Sequence, residues 1–206
     1  MNNYEYIVAS LPVLTTDMRE KGGPDPEGLV GWIRSQCSDR DNALIDILEA
    51  GFDGESLDEE FYRKALSSGN GFLKGFFSYD LTMRNEKVRW LNKALGRPEG
   101  QDVVAGPEPR PEDVAEIAGA LGTDDILGRE KALDDLLWGK IASLTTFSYF
   151  DIDAILAFLA KMNIIRRWMV LDDETGREMF QNLVDEVRGT FKGVNYKPDN
   201  QTDTIL

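Results

Sequence analysis

Residues 147–191 read FSYFDIDAILAFLAKMNIIRRWMVLDDETGREMFQNLVDEVRGTF, the most strongly patterned stretch of the chain. In its first half, apolar side chains recur three and four positions apart and cover a face broad enough to be buried on more than one side. Asp151 or Asp153 can cap the start, because a short carboxylate accepts the free N–H groups of a first helical turn. The pattern predicts a central helix over residues 151–170. The apolar face consists of Ile152, Ile155, Leu156, Phe158, Leu159, Met162, Ile165 and Met169.

The second half of this stretch has a helical pattern of its own. An acidic start at 171–174 is followed by one apolar edge that runs from Met179 to Phe191. Because the corner between the two segments is short, we expect two antiparallel neighbouring helices.

Helix signals recur through the rest of the chain. Ser38 with Asp41 resembles a capping box and predicts a helix that ends near Gly51. Ser56 with Glu59 repeats the signal and predicts a helix that continues up to Gly69. Apolar spacing predicts the second long helix, at about 70–95, and shorter helices from 26, over 112–121 and over 129–143.

Two segments depart from this helical pattern. Tyr4–Leu14 is rich in aromatic and β-branched residues and contains Pro12, so it predicts a short strand or an extended arm. Residues 97–111 hold four of the eight prolines and are predicted to be a loop, where the body could be subdivided. We expect one all-α, bundle-like domain over 1–192 and a frayed tail at 193–206.

Composition narrows the chemistry. Cys37 is the only cysteine, so an intramolecular disulfide and a thiolate metal cluster are both excluded. The chain has no histidine, which removes the Ser-His-Asp and Cys-His catalytic arrangements and the commonest zinc ligand. We therefore expect no catalytic residue, no cofactor and no metal.

The charge balance narrows the partners. A formal net charge of -14 repels phosphate backbones and anionic lipids, so nucleic acid is an unexpected partner. No apolar run approaches the roughly 20 residues that cross a bilayer. We expect a cytoplasmic protein that inserts into no membrane and reaches one only through another protein.

Acidic pairs recur at Asp124–Asp125, Asp134–Asp135 and Asp172–Asp173. Two close carboxylates can divide acid and base roles or hold a divalent cation. Adjacent residues on a helix point about 100° apart, however, and the pairs are better interpreted as solvated faces.

Arg166, Arg167 and Trp168 offer a different kind of site. Two guanidinium groups beside an indole are typical of a protein-binding hot spot on an otherwise acidic surface. The alternative is that both arginines pair with nearby acids and that the tryptophan belongs to the core.

Three segments carry a family resemblance: YEYIVASLP at 4–12, FFSYD at 76–80 leading to Arg84-Asn85, and DIDAIL at 151–156 leading through Lys161 to Arg167-Trp168. Together they resemble a bacterial family of uncharacterised proteins encoded beside V-type ATPase genes. That family is in turn similar to diverged relatives of the V-type ATPase (ATP synthase) socket subunit, the one that joins the central stalk to the membrane rotor ring. The resemblance runs along most of the chain.

The resemblance implies a function. Socket subunits of this enzyme are helical and non-catalytic, and typical members are longer, with three similar helical lobes. This chain would then be a coupling or assembly subunit in proton or ion transport, partnered by stalk subunits, the rotor ring or both. Such a protein would lie in the cytoplasm, at the inner membrane through the complex. Arg84, Arg166 and Arg167 are the candidate partner contacts.

Two alternatives come from other classes. The first is a free-standing helical adaptor for protein–protein interaction. The second is a carboxylate-based enzyme, which would require a buried acid pair that lines a deep pocket.

Overall fold

A computed structural model describes residues 4–18, 26–54 and 57–170 of the chain. Within these ranges the chain forms helices and no strand, which confirms the predicted all-α fold. The helices are α1 Tyr4–Ser10, α2 Pro26–Gln36, α3 Asp39–Ala50, α4 Glu59–Leu66, α5 Gly71–Ala94, α6 Pro111–Leu121, α7 Ile126–Leu144 and α8 Ile152–Val170.

The start of α3 shows the predicted capping box. The Ser38 hydroxyl accepts the Asp41 backbone N–H, and the Asp41 carboxylate accepts the Ser38 backbone N–H, at 3.2 Å in each case. The helix ends at Ala50 with Gly51 as its C-cap, as predicted.

The start and end of α4 differ from the prediction. The Asp58 carboxylate accepts a backbone N–H of the first turn at 2.7 Å and caps the helix. Ser56, the predicted cap, lies outside the described residues. The helix ends at Leu66 rather than at Gly69, because the chain turns there toward Asn70, whose side chain caps α5.

The predicted N-terminal strand is wrong, because the segment forms α1. Its apolar side chains are spaced as on one face of a helix, and that face packs on the core with Ile7 fully buried. The Tyr4 hydroxyl also donates to the Asp41 carboxylate at 2.9 Å, which fixes α1 beside the start of α3. The side chains on the core face are Tyr4, Ile7, Val8 and Leu11.

The two predicted long helices are present as α5 and α8. All six residues from 155 to 160 are buried, because α8 packs against α1, α2, α3, α5 and α7. Leu159 is fully buried, as its position in the stripe predicted. Met169 is 41% exposed, so its assignment to the buried face is wrong: the last turn of α8 extends beyond the helices that cover its middle.

Helix α5 is the second centre of packing and contacts α4, α6, α7 and α8. A Cβ at Gly75 would lie 2.6 Å from a methyl group of Leu144, so this glycine lets α5 and α7 approach closely. The helix is followed by Gly96, whose φ of 65° suits glycine.

The proline-rich segment after α5 has no regular structure up to Arg110, as predicted. Two buried amides of α5 hold it. Asn85 donates to the Val104 carbonyl at 2.9 Å and accepts the Val104 N–H at 3.0 Å. Asn92 donates to the Gln101 carbonyl at 2.7 Å.

Each of the described helices contributes to one buried apolar cluster. The predicted second helix of the 147–191 stretch and the predicted frayed tail lie outside the described residues. Within the described ranges, no helix has both the length and the apolar character that a membrane crossing requires. Representative members of the cluster, one from each helix, are Ile7, Ile33, Ile45, Tyr62, Phe72, Ile117, Leu133 and Ile155.

Candidate interaction surfaces

The C-terminal part of α8 is tied to α7 by a buried carboxylate. Asp134 is only 5% exposed and accepts from the Arg167 guanidinium and from the Trp168 indole N–H, at 2.5 Å in each case. Arg167 also lies 3.5 Å from Glu130, which accepts from Lys87 of α5 at 3.4 Å. The network therefore connects α5, α7 and α8.

This network decides between the two interpretations of Arg167 and Trp168. Arg167 pairs with acids, and Trp168 packs against the core, as the alternative to a hot spot predicted. The interpretation of Asp134 as part of a solvated face is wrong, because its two donors allow it to be buried. Arg166 is exposed, and its role as a partner contact stays a prediction.

Arg84 is half-buried and makes internal contacts. Its guanidinium donates to the Leu57 carbonyl at 3.0 Å and lies 6.0 Å from the centre of the Tyr62 ring. It thus faces α4 and the segment before it, whereas Arg167 faces α7. A charge reversal at Arg84 would remove these internal contacts, so any loss of binding would not isolate a partner contact.

Beside Arg84, Tyr62 donates to the Asp80 carboxylate at 2.7 Å. Burial raises the pKa of Asp80, while the Tyr62 hydrogen bond and the Lys87 and Arg84 charges act in the opposite direction. Burial, together with the Asp80 charge, also raises the pKa of Tyr62. Neither Tyr62 nor Asp80 lines the cavities of about 240, 500 and 510 Å³ on the described part of the chain.

A second charged cluster joins α6 to α7. Asp113 lies 2.7 Å from Arg110 and 3.3 Å from Lys140. Burial alone would raise the pKa of Asp113, but the hydrogen bonds from Arg110 and Lys140 outweigh it and lower that pKa. Burial and the Asp113 charge raise the pKa of Tyr79 to about 12, and the Lys140 ammonium lies 4.8 Å from the Tyr79 ring centre.

The other acidic residues have structural roles or exposed positions. Asp125 caps α7 through the Gly128 N–H at 2.6 Å, and Asp172–Asp173 lies outside the described residues. Among the described residues, no group of three or more Cys, Asp or Glu side chains could hold a metal ion. Asp41 is the buried acid that lines the 500 Å³ cavity, where Ser38 and Tyr4 donate to it, and no second buried acid of the described part accompanies it there.

Three aromatic side chains between α7 and α8 project into solvent. Phe147 is 86% exposed, Tyr149 67% and Phe150 54%. We call residues 147–150 the aromatic loop. Sequence reasoning included it in the central stretch without assigning it a surface role, although its aromatics precede the capping acid and fall outside the helical stripe.

Both ends of the aromatic loop are anchored. On the α7 side, the Ser148 N–H donates to the Thr145 carbonyl at 3.0 Å. On the α8 side, Asp151 accepts the Ala154 N–H at 3.0 Å. Asn70, the cap of α5, then donates to Asp153 at 2.5 Å, so α5 and α8 begin side by side next to the loop. The aromatics are therefore presented from a well-supported part of the fold.

Residues 110–190 match the model of a family described as a protein of unknown function, DUF2764. This is less than half of the chain. The comparisons with curated proteins and with solved structures gave no match. The predicted similarity to an uncharacterised family is thus confirmed for this stretch.

The matched stretch contains α6, α7 and α8. It therefore includes the Asp134–Arg167 pair, the Asp113 cluster and the aromatic loop. Arg84 and the rest of α5 lie before it.

Proposed function

We propose that this chain is a non-catalytic coupling or assembly protein of a V-type ATPase, similar to the socket between its stalk and rotor ring, and that it contacts its partner through the aromatic loop. The observation that carries the proposal is the exposure of Phe147, Tyr149 and Phe150 on an anchored connection.

Large apolar side chains that are grouped at the surface commonly mark an interaction site, and aromatic residues are enriched among those that dominate binding energy. A supported loop also loses less conformational entropy on binding than a free one. These features favour a protein-binding surface, which suits both a coupling protein and a free-standing adaptor.

The assignment to a V-type ATPase rests on the sequence resemblance. Its segments contribute to α1, α5 and α8, so they include both helices around which the others pack. With a net charge of -14, the chain favours a basic face on the partner, and association should then be faster at low salt.

Capture from native lysate at low salt tests the proposal. The tagged wild-type chain is compared with a loop variant that carries Phe147→Ser, Tyr149→Ser and Phe150→Ser. The matched control carries Ile126→Ser and Leu127→Ser, since these residues are also strongly exposed but lie at the other end of α7.

We expect the wild-type chain and the control to capture stalk or rotor-ring proteins of the ATPase, and the loop variant to lose them while keeping its helical circular dichroism spectrum. If the wild-type chain captures no ATPase component, the coupling function is wrong and the free-standing adaptor is favoured. If the loop variant captures as well as the wild type, the binding surface lies elsewhere.

A further inference from the structure

A groove of about 510 Å³ lies between the C-terminal half of α5 and the end of α6. Its floor includes the indole of Trp90. We call it the Trp90 groove. Its lining residues are Glu86, Arg89, Trp90, Lys93, Arg97, Glu99, Ala118 and Leu121.

The groove collects cations in a chain that has 37 acids and 23 bases. Arg89 pairs with Glu86. Lys93 and Arg97 are exposed, and neither makes an ion pair within the described part of the chain. Two uncompensated positive charges therefore remain beside the indole.

Trp90 is held in place from one side. The Arg129 guanidinium lies 4.3 Å from the indole centre and donates to the Thr123 carbonyl at 2.8 Å. A cation over one face of the ring fixes its orientation, and the half-buried indole still lines the groove. The ring can therefore serve as an apolar contact without a large rearrangement.

The groove continues toward the proline-rich segment. Arg89 also lines the cavity of about 240 Å³ between α5 and residues 103–109. The two cavities therefore adjoin along one side of α5 and form an elongated surface that suits an extended ligand.

We propose that the Trp90 groove binds an acidic linear segment of a partner protein, with an apolar side chain against Trp90 and carboxylates against Lys93 and Arg97. Charge complementarity selects the acidic partner. Glu86 and Glu99 disfavour a ligand with dense negative charge, such as a polyphosphate or a nucleic acid. A peptide can space its carboxylates so that each meets a cation.

Fluorescence anisotropy with the purified full-length chain tests this inference independently of the ATPase. The probe is a short fluorescein-labelled peptide of glutamate and leucine with one phenylalanine. A matched peptide has lysine in place of glutamate, and ATP serves as the competitor. The groove variant carries Lys93→Glu and Arg97→Glu, which are exposed positions. The control carries Lys64→Glu and Lys74→Glu, which change the net charge equally at exposed positions outside the groove.

We expect the glutamate peptide to bind in a salt-dependent manner, the groove variant to raise its Kd by about tenfold or more, and the control to change it little. Equal effects of the two variants would show that only the overall field of the protein matters, and would overturn the inference. Failure of the glutamate peptide to bind, stronger binding of the lysine peptide, or displacement of the probe by ATP would also overturn it.

Discussion

Arg167 donates to Asp134 at 2.5 Å, so that a cation near the end of α8 meets a carboxylate on α7 that is almost fully buried. The adjoining Trp168 donates to the same oxygen. The carboxylate thus receives two donors from successive residues of one helix, and this contact fixes the end of α8 against α7.

A double-mutant cycle should measure this contact. Asp134→Ala and Arg167→Ala should each reduce the free energy of unfolding, and their coupling should be about 0.5 to 3 kcal/mol. Urea denaturation gives the values. Arg166→Ala is the matched control, because Arg166 is exposed and should show almost no coupling to Asp134. Equal coupling for the two arginines would contradict the structural assignment.

The centre of α8 should be the most sensitive part of the core. Leu159→Ala should reduce the free energy of unfolding by about 2 to 5 kcal/mol, because a fully buried side chain leaves a cavity. Met169→Ala, at the exposed end of the same helix, should cost less than about 0.5 kcal/mol. Similar losses in urea denaturation would mean that the faces of α8 are wrongly assigned.

The amide of Asn85 should hold the proline-rich segment. Asn85→Ala leaves both backbone groups of Val104 without their partner and should reduce the free energy of unfolding by about 1 to 3 kcal/mol. Hydrogen exchange should show faster exchange at the Val104 N–H. The exposed change Gln36→Ala serves as the control, and unchanged exchange at Val104 in the Asn85 variant would exclude the anchoring role.

The Asp113 cluster should contribute to acid sensitivity. Because the folded state lowers the pKa of Asp113, its contribution is fully present above the unfolded value of about 3.9 and is lost as pH falls through the lower folded value. Asp113→Asn should therefore flatten the dependence of the free energy of unfolding on pH below about pH 4. Asp124→Asn, at an exposed acid, is the control, and an identical acid profile for wild type and Asp113→Asn would contradict this.

The parts of the fold that the sequence predicted correctly depend on local patterns. The stripe of α8 and the capping box of α3 each lie within a few turns of chain, so periodicity and side-chain type were sufficient. The first helix was missed because its aromatic and β-branched residues also suit a strand, and the contact that decides the matter, Tyr4 with Asp41, joins distant positions.

The candidate surfaces depend on distant contacts and were harder to predict. Asp134 meets Arg167 across 33 positions, and no local pattern marks a buried carboxylate among exposed ones. The aromatic loop is visible in the sequence as FSYF, but its exposure follows from the packing of α7 and α8. The same holds for the Trp90 groove, because its walls come from α5, α6 and the segment between them.

Site-specific photo-crosslinking in the native cell tests the central claim most directly. A photoreactive phenylalanine analogue replaces Phe147 in the aromatic loop, and the same analogue at exposed Ala115 on α6 is the control. We predict crosslinks from position 147, and few or none from position 115, to stalk or rotor-ring proteins of a V-type ATPase, identified by mass spectrometry. Crosslinks from position 147 to unrelated proteins alone, or to no protein, would contradict the proposed function.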